Sequence, residues 1–448
     1  MRFISTDITC RLDSLPWCRF HTMFVLALGI TWVLDAFEVV IVSAVLKPMS
    51  KSLNFTPTQS SLMVSGFLLG AIIGSFLFGY LADKYGRKKL FLLTLLLYAG
   101  GTFLTGFANS FESALFFRIV AGAGIGGEFA AIHSAIDEFV PSRHRGKVDG
   151  TISALWNLGS ILASLSASFI LSYFHEAFAW RFAFLLGGVL ALVVLLVRLY
   201  VPESPRWLLS KGRVQEAESI VQSLEKMAGG RYSIQKCDIP VFEGSILDAT
   251  KLVLSRYRWR FVFSSLMSIT ILSTYYGLIT LLPTGFATAF GFSSQDIPKI
   301  LLVGSIGGLV GGLVVAFMSD TLGRKITGSL VSFLAFLLSL FFLLPLDFDT
   351  VYFAYSLIAF SFASVAYVSA TEIYPSYIRA YAIGLLSVIG RVSGALSPVL
   401  LVELSSANYT YGVLGLSLFW LLGFVAFAVW TIRGKEAKGK SIEDIAGA

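Results

Sequence analysis

One motif occurs twice in this sequence, as Asp83-Lys84-Tyr85-Gly86-Arg87-Lys88 and as Asp320-Thr321-Leu322-Gly323-Arg324-Lys325, each time where a long apolar segment ends. In sequence number the two copies are offset by 320 − 83 = 237. A second pair, Glu138-x-x-Pro141-x-x-x-Arg145 and Glu372-x-x-Pro375-x-x-x-Arg379, is offset by 372 − 138 = 234. Two independent landmarks with nearly the same spacing indicate an internal duplication. In a membrane protein, such a repeat predicts two helical bundles that face each other across a substrate path.

The composition is that of an integral membrane protein. Hydrophobic residues make up 56% of the 448 residues, charged residues make up 14%, and the mean hydropathy is +0.78. A soluble domain carries about 25% charged residues. Continuous apolar runs such as Leu90–Leu97 favour helices over the alternating strands of a β-barrel. Twelve runs approach the length that a helix needs to cross the hydrocarbon core, near residues 23–46, 60–82, 90–108, 113–137, 150–173, 181–200, 260–283, 297–318, 326–345, 351–370, 382–404 and 412–432.

The predicted fold class is therefore an all-α membrane protein, with twelve transmembrane helices in two six-helix bundles related by pseudo-two-fold symmetry. The predicted domains are an N-terminal bundle over residues 1–200, a linker over 201–257 and a C-terminal bundle over 258–448. Within the linker, apolar residues recur at helical spacing from Val214 to Met227, which predicts a short amphipathic helix on the membrane surface.

The distribution of Lys and Arg predicts the orientation. An even number of spans places both termini on one side, and the loops of that side hold 27 of the 34 Lys and Arg residues. Positively charged loops stay in the cytoplasm, so we predict cytoplasmic termini and a multi-pass protein of the cell membrane. This bias accounts for the net charge of +7, so we expect contact with the lipid bilayer and none with nucleic acid.

The sequence gives no sign of an enzyme. A phosphate-binding Gly-x-x-x-x-Gly-Lys-Ser/Thr motif does not occur, which argues against a pump with its own ATPase. A nucleophile, a base and an orienting group do not occur together. Cys10, Cys18 and Cys237 lack the spacing of metal ligands. We therefore predict no catalytic residues, no metal and no cofactor.

The repeated motif also resembles a known family. Gly79-x-x-x-Asp83-x-x-Gly86-Arg87-Lys88 is similar to the loop motif of the major facilitator superfamily, and the copy at Asp320 repeats it. The resemblance implies secondary active transport by alternating access. Within the superfamily, the chain looks most like the proton-coupled metabolite symporters and the related synaptic-vesicle-protein-like, organic-ion and aromatic-acid transporters. The segments that carry this resemblance are Arg118-x-x-x-Gly122, Gly126-Gly127-Glu128, Pro202-Glu203-Ser204-Pro205-Arg206-Trp207, Tyr275-Tyr276-Gly277 and Gly390-Arg391.

The residue types of the loop motif suggest a charge pair beside a sharp turn. Asp83 and Arg87 are one helical turn apart and can form a charge pair, while Gly86 allows a sharp turn. The resemblance implies that such pairs break and re-form as a conformational latch. Plain solvation of helix ends is the alternative. The predicted latch comprises Asp83, Gly86, Arg87, Asp320, Gly323, Arg324, Glu138, Arg145, Glu372 and Arg379.

Ionisable residues within the spans are the candidates for proton coupling, because a charge at the bilayer centre is costly and usually faces a cavity or a partner. Asp35 and Glu38 are three residues apart in the first span and can lie along one stripe of the helix. Arg118 in the fourth span is the predicted partner of one of these carboxylates, and the resemblance associates it with proton coupling. Glu128 is the second candidate proton site. The alternative for Glu38 is an outer, solvated position or a pair with a lysine.

Arg391 is the predicted substrate-binding residue. It lies near the middle of the eleventh span between Gly390 and Gly394, and its planar fork suits a carboxylate or phosphate. A structural ion pair with Glu403 or with a first-span carboxylate is the alternative. Asn157 is the repeat counterpart of Arg391 (391 − 234) and offers an amide to the same cavity. Tyr275 and Tyr276 complete the predicted substrate site.

These residues lead to one main hypothesis and three alternatives. The main hypothesis is proton-coupled symport of a small organic carboxylate. The two predicted tyrosines would suit an aromatic carboxylate. An organic cation or drug/proton antiporter is the first alternative, because the spans hold three carboxylates against two arginines. A sugar porter is disfavoured, because amide side chains are scarce in the spans. A transporter-like sensor is the third. We expect small-molecule substrate and protons as partners, and a monomer.

Overall fold

The computed structural model describes residues 2–6, 8–85, 87–198, 202–230, 237–241, 246–374 and 376–434. The chain begins with a strand β1 (Arg2–Thr6), a short helix α1 (Ile8–Ser14) and then six long helices: α2 (Arg19–Leu53), α3 (Pro57–Tyr85), α4 (Arg87–Thr105), α5 (Phe111–Phe139), α6 (Ser142–Tyr173) and α7 (Glu176–Arg198). The middle segment contains α8 (Pro205–Ser210), α9 (Val214–Met227), a strand β2 (Cys237–Val241) and α10 (Ile246–Ser255).

The second half repeats the six-helix order. Its first long helix, α11 (Arg258–Leu281), continues through a π-helical turn over Leu282–Phe286 into α12 (Ala287–Ala289). The other long helices of this half are α13 (Asp296–Leu322), α14 (Arg324–Phe341), α15 (Phe348–Glu372), α16 (Ser376–Ala407) and α17 (Tyr409–Arg433).

The described helices account for the predicted spans. Ten of them are long and apolar enough to cross a membrane within the described residues. Helices α5, with 29 residues, and α7, with 23 residues, bring the number of long helices in the described part of the chain to twelve. The helical membrane fold is therefore confirmed. The helices extend beyond the apolar runs, and α2 covers 35 residues, because a helix continues past the hydrocarbon core into the polar interface.

The packing of glycines shows the duplication in three dimensions. A methyl group on Gly74 of α3 would lie 2.0 Å from the Ala123 carbonyl oxygen of α5. A methyl group on Gly311 of α13 would lie 2.0 Å from the Leu357 carbonyl oxygen of α15. In sequence number the two glycines are offset by 311 − 74 = 237, and the two carbonyl groups by 357 − 123 = 234. The same close helix contact therefore occurs in both halves, with the two spacings of the sequence motifs.

Hydrogen bonds join the two halves on one side of the bilayer. We call this the far side, because it lies opposite the chain termini, beyond the turn after Leu53. The hydroxyl of Ser43 on α2 donates to the Ile279 carbonyl of α11, and the Lys47 ammonium donates to the Phe292 carbonyl. The hydroxyl of Thr58 on α3 donates to the carboxylate of Glu403 on α16. The far side is therefore closed in this structure.

On the terminus side, the middle segment packs against the first half. Leu12 of α1, Val221 of α9 and Phe139 of α5 belong to one buried hydrophobic cluster. Beside it, the Arg11 guanidinium donates to the Glu225 carboxylate at 2.8 and 2.9 Å, which raises the pKa of Arg11. Strands β1 and β2 form an antiparallel pair that the sequence pattern does not predict. The amphipathic face of α9 is thus buried against the first half.

Candidate substrate and proton site

A buried ion pair lies inside the first half. The Arg118 guanidinium of α5 donates to Glu38 Oε1 of α2, and both side chains are 1% exposed. The Thr102 hydroxyl of α4 donates to the same oxygen at 3.0 Å. The guanidinium also lies 4.4 Å from the centre of the Phe67 ring. The structure thus brings together two of the residues predicted for proton coupling.

This pair is neutral overall but incompletely hydrogen-bonded. Glu38 Oε2 and Arg118 Nε are buried without a hydrogen-bond partner among the described residues. A buried carboxylate is stabilised as an anion chiefly by its cationic partner, so any movement of Arg118 away from Glu38 would favour protonation of the carboxylate. The geometry can therefore couple a helix movement to proton uptake.

Asp35 is the other carboxylate predicted for proton coupling on α2. It is 3% exposed and acts electrostatically on the Tyr276 hydroxyl of the second half. Glu38 turns into the first half, where it contacts Arg118 and Thr102. Through its interaction with Tyr276, Asp35 acts on one of the predicted substrate residues.

Aromatic rings connect the two halves at mid-depth. The Trp156 indole of α6 donates to the Tyr275 hydroxyl of α11 at 3.0 Å, and the two ring centres are 6.0 Å apart. Trp156 also contacts Trp32 of α2 edge to face, with ring centres 5.7 Å apart. Tyr275 and Tyr276 form a similar contact at 5.2 Å. These side chains provide flat apolar surfaces of the kind that bind an aromatic ring.

Arg391 of α16 lies on the boundary between the halves. Its Nη1 donates to the hydroxyl of Ser75 on α3, and its charge acts on Tyr276 and Tyr367. Tyr367, on α15, is 49% exposed even though it lies deep in the protein near Arg391. Since Arg391 acts on Tyr367 from the boundary between the halves, we infer that this exposed area faces an internal space. The carboxylate of Glu403, the alternative partner of Arg391, accepts from the Thr58 hydroxyl.

Asn157 lies across the same boundary. Its side chain is 4% exposed, and its Oδ1 is buried without a hydrogen-bond partner among the described residues. A methyl group on Gly308 of α13 would lie 2.6 Å from this oxygen. The amide therefore packs against the second half, close to Gly308 of α13.

The remaining predicted residues are described only in part. At Gly323, φ is +86°, a left-handed conformation that favours glycine, and the chain reverses there between α13 and α14. The Arg324 side chain beside it is half-buried. Gly86 lies outside the described residues. So do the side chains of the other predicted residues, namely Glu128, Asp83, Arg87, Asp320, Glu138, Arg145, Glu372 and Arg379.

The predicted site did not include four residues that contribute to it. Ser75 and Thr102 are hydroxyl residues, which are common along spans and carry no motif. Trp156 and Tyr367 are two of many aromatic side chains in the chain, and only the fold separates ring contacts at the boundary from lipid contacts. For Trp156 a usable signal existed, because it directly precedes Asn157, the repeat counterpart of Arg391.

Comparison with known proteins decides the family. The model of the Major Facilitator Superfamily matches residues 28–398. The chain belongs to the major facilitator superfamily. It is 30% identical to the niacin transporter NiaP of Acinetobacter baylyi, over 98% of this chain and 99% of the relative. It is 28% identical to the inner membrane metabolite transport protein YgcS of Escherichia coli, over 98% of this chain and 97% of the relative.

Solved structures of superfamily members share the fold. The xylose transporter XylE of Escherichia coli, in a partially occluded inward open conformation, superposes with a TM-score of 0.69 at 19% identity, over 94% of this chain and 99% of XylE. At this identity the likeness concerns the fold alone. As a major facilitator the chain is a multi-pass membrane transporter of small molecules and not an enzyme.

Proposed function

We propose that this protein is a proton-coupled symporter for a small organic carboxylate, with an aromatic acid such as nicotinate as the favoured substrate. The observation that carries the proposal is the position of Arg391 on the second half, where its guanidinium donates to Ser75 of the first half and its permanent charge acts electrostatically on Tyr276 and Tyr367. A guanidinium binds a carboxylate through two parallel hydrogen bonds, and the neighbouring rings suit a planar acid. The name of the relative from Acinetobacter baylyi supports the same class of substrate.

Proton coupling rests on the carboxylates of α2. Glu38 is held by Arg118, so protonation of Glu38 requires this pair to separate. Asp35 is buried and acts electrostatically on Tyr276 of the second half, one of the predicted substrate residues. We assign Asp35 to proton transfer with the substrate path, and the Glu38–Arg118 pair to the conformational change that accompanies it. Glu128 is a further proton site in this proposal.

Alternating access follows from the arrangement of the two halves. The far side is closed by bonds such as the one between Ser43 and Ile279, while Tyr367 lines an internal space near the terminus side. With cytoplasmic termini in the cell membrane, as the charge distribution indicates, this is an inward-facing arrangement of a monomer. Rocking of the 1–200 bundle against the 258–448 bundle, with the loop-motif pairs as latches, would expose Arg391 to the outside.

The organic cation alternative is less well supported by the charges. Among the side chains that the structure describes, Glu38 is neutralised by Arg118, which leaves the Asp35 carboxylate and the Arg391 cation to balance each other. A sugar would need several paired polar groups, and the boundary presents mainly aromatic rings.

The test is uptake into proteoliposomes that contain the purified protein. We expect an inward proton gradient to drive accumulation of nicotinate, little transport of nicotinamide, its neutral analogue, and none of tetraethylammonium. Arg391→Ala should abolish nicotinate binding and affect nicotinamide much less. Accumulation that ignores the proton gradient would reject symport, and equal losses for the acid and the amide would reject Arg391 as the anion site.

A further inference from the structure

Ser75 makes three hydrogen bonds around one oxygen atom. Its single hydroxyl hydrogen is shared between the Ala71 carbonyl of its own helix, at 2.7 Å, and the Gly126 carbonyl of α5, at 2.9 Å. The same oxygen accepts from Arg391 Nη1. A hydroxyl has a single hydrogen and two lone pairs. Since the hydrogen is engaged with a carbonyl, the oxygen can act toward Arg391 only as an acceptor.

We propose that Ser75 is a positioning residue, which orients the Arg391 guanidinium for the substrate carboxylate and links this arginine to α5. The inference rests on the proposed function, because it assumes that Arg391 binds the anion. Ser75 engages one N–H of the guanidinium and brings no charge, so this bond orients the fork without placing a negative charge beside it. A carboxylate at this position would compete with the substrate for the same cation.

The bond also crosses the boundary between the halves. Ser75 lies on α3 in the first half, while Arg391 lies on α16 in the second half. Through the Gly126 carbonyl, Ser75 is bonded to α5, the helix that also carries Arg118. A substrate that rearranges the guanidinium therefore changes a bond shared by three helices, two of them in the half that contains the buried ion pair.

The second half contains a matched control. The Ser361 hydroxyl of α15 donates to the Leu357 carbonyl of its own helix at 2.8 Å and to the Gly311 carbonyl of α13 at 2.9 Å. The lengths of these two bonds are close to those of the Ser75 bonds, and both bonds lie wholly within the second half. Replacing Ser361 therefore removes the helix-to-helix bonds of a buried serine but no bond to Arg391.

The experiment measures KM and kcat for nicotinate uptake, together with binding of nicotinamide. We expect Ser75→Ala to raise KM for nicotinate about tenfold with kcat little changed, because hydrogen bonds to a charged group that act in substrate binding are lost. Binding of nicotinamide should stay within twofold. Ser75→Thr keeps the hydroxyl and should restore KM, and Ser361→Ala should leave KM unchanged.

The outcomes separate this inference from the proposed function. If the parent binds nicotinate, Arg391→Ala abolishes that binding and Ser75→Ala does not weaken it, Ser75 is not a positioning residue while the anion site stands. An equal rise of KM in Ser361→Ala would also overturn the inference, because helix packing would then explain the effect. If the parent binds neither nicotinate nor benzoate, or Arg391→Ala binds them unchanged, the proposed anion site fails first and the role of Ser75 with it.

Discussion

The far side should open more readily when Ser43 is replaced by alanine. Ser43 is fully buried, and its hydroxyl donates to the Ile279 carbonyl of the other half. In a regular helix this carbonyl would accept from the N–H of residue 283, which is Pro283 and has none. The π-helical turn of α11 begins at this point. Ser43 therefore supplies, across the boundary, a donor that Pro283 cannot give.

The magnitude follows from this one bond. An intramolecular hydrogen bond contributes about 0.5 to 1.5 kcal/mol, and a buried carbonyl left without a donor costs about 1 to 3 kcal/mol. The penalty falls on the closed state, because water reaches the carbonyl once the far side opens. Since 1.4 kcal/mol is a tenfold change in an equilibrium constant, the ratio of closed to open molecules should fall by about 5- to 100-fold.

The assay measures the distance between spin labels on the far side. Phe107→Cys and Leu346→Cys place the labels in far-side loops of the two halves, where the native side chains are 56% and 48% exposed. We expect one short distance in the parent and a second, longer one in Ser43→Ala. The background for both labels replaces the natural cysteines Cys10, Cys18 and Cys237 with serine.

The matched control is Ser164→Ala. Ser164 is also fully buried, but its hydroxyl donates to the Ser160 carbonyl within α6, at 2.8 Å. It should leave the distances unchanged. An unchanged distance distribution in Ser43→Ala, or the same shift in Ser164→Ala, would refute the idea that this cross-boundary bond holds the far side shut.

Three further predictions concern charged side chains. Glu38→Gln leaves the buried charge of Arg118 without its carboxylate, so thermal unfolding in detergent should show a loss of about 3 to 5 kcal/mol, partly recovered when Arg118→Gln is added; an unchanged stability would mean that the pair is not formed. Asp35→Asn should abolish accumulation driven by a proton gradient in proteoliposomes and spare exchange of pre-loaded nicotinate, and full retention of accumulation would exclude Asp35 as the proton carrier. Arg11→Gln should cost about 1.5 to 3 kcal/mol in the same unfolding assay, because its bonds to a buried carboxylate are lost. The affinity of this variant for nicotinate should not change, and a large change would show that the terminus-side cluster reaches the substrate site.

The fold could be predicted from the sequence because two separate repeated motifs indicate the same division into two similar halves. The motifs around Gly86 and Gly323 gave the spacing of the halves, and Gly74 and Gly311 make equivalent close contacts at that spacing. Helix ends were less predictable, since polar interfacial residues extend α2 well beyond its apolar run. The pairing of β1 with β2 could not be foreseen, because nothing in five local residues indicates a partner that follows the whole first bundle.

The candidate site was only partly predictable, because side-chain direction depends on tertiary packing. Arg118 was predicted to contact a carboxylate of α2, and the structure selects Glu38. Asp35 and Glu38 are three residues apart, yet Glu38 contacts the first half and Asp35 acts on Tyr276 of the second. Sequence spacing predicts which face of a helix a residue lies on. Which side chains it contacts depends on the helices packed against that face.

The hydrogen bonds of Ser75 and Ser361 join equivalent pairs of helices in the two halves, but in opposite directions. In the first half, α3 supplies the hydroxyl and α5 the carbonyl, whereas in the second half α15 supplies the hydroxyl and α13, the counterpart of α3, supplies the carbonyl. Both halves therefore contain a serine-to-carbonyl hydrogen bond between equivalent helices, but the donating helix and the accepting helix are exchanged. An alignment of the halves would pair neither serine with the other and would score both positions as diverged. A comparison of duplicated halves should therefore ask which pairs of helices are joined by hydrogen bonds. Comparing only the residue types at aligned positions would miss such bonds.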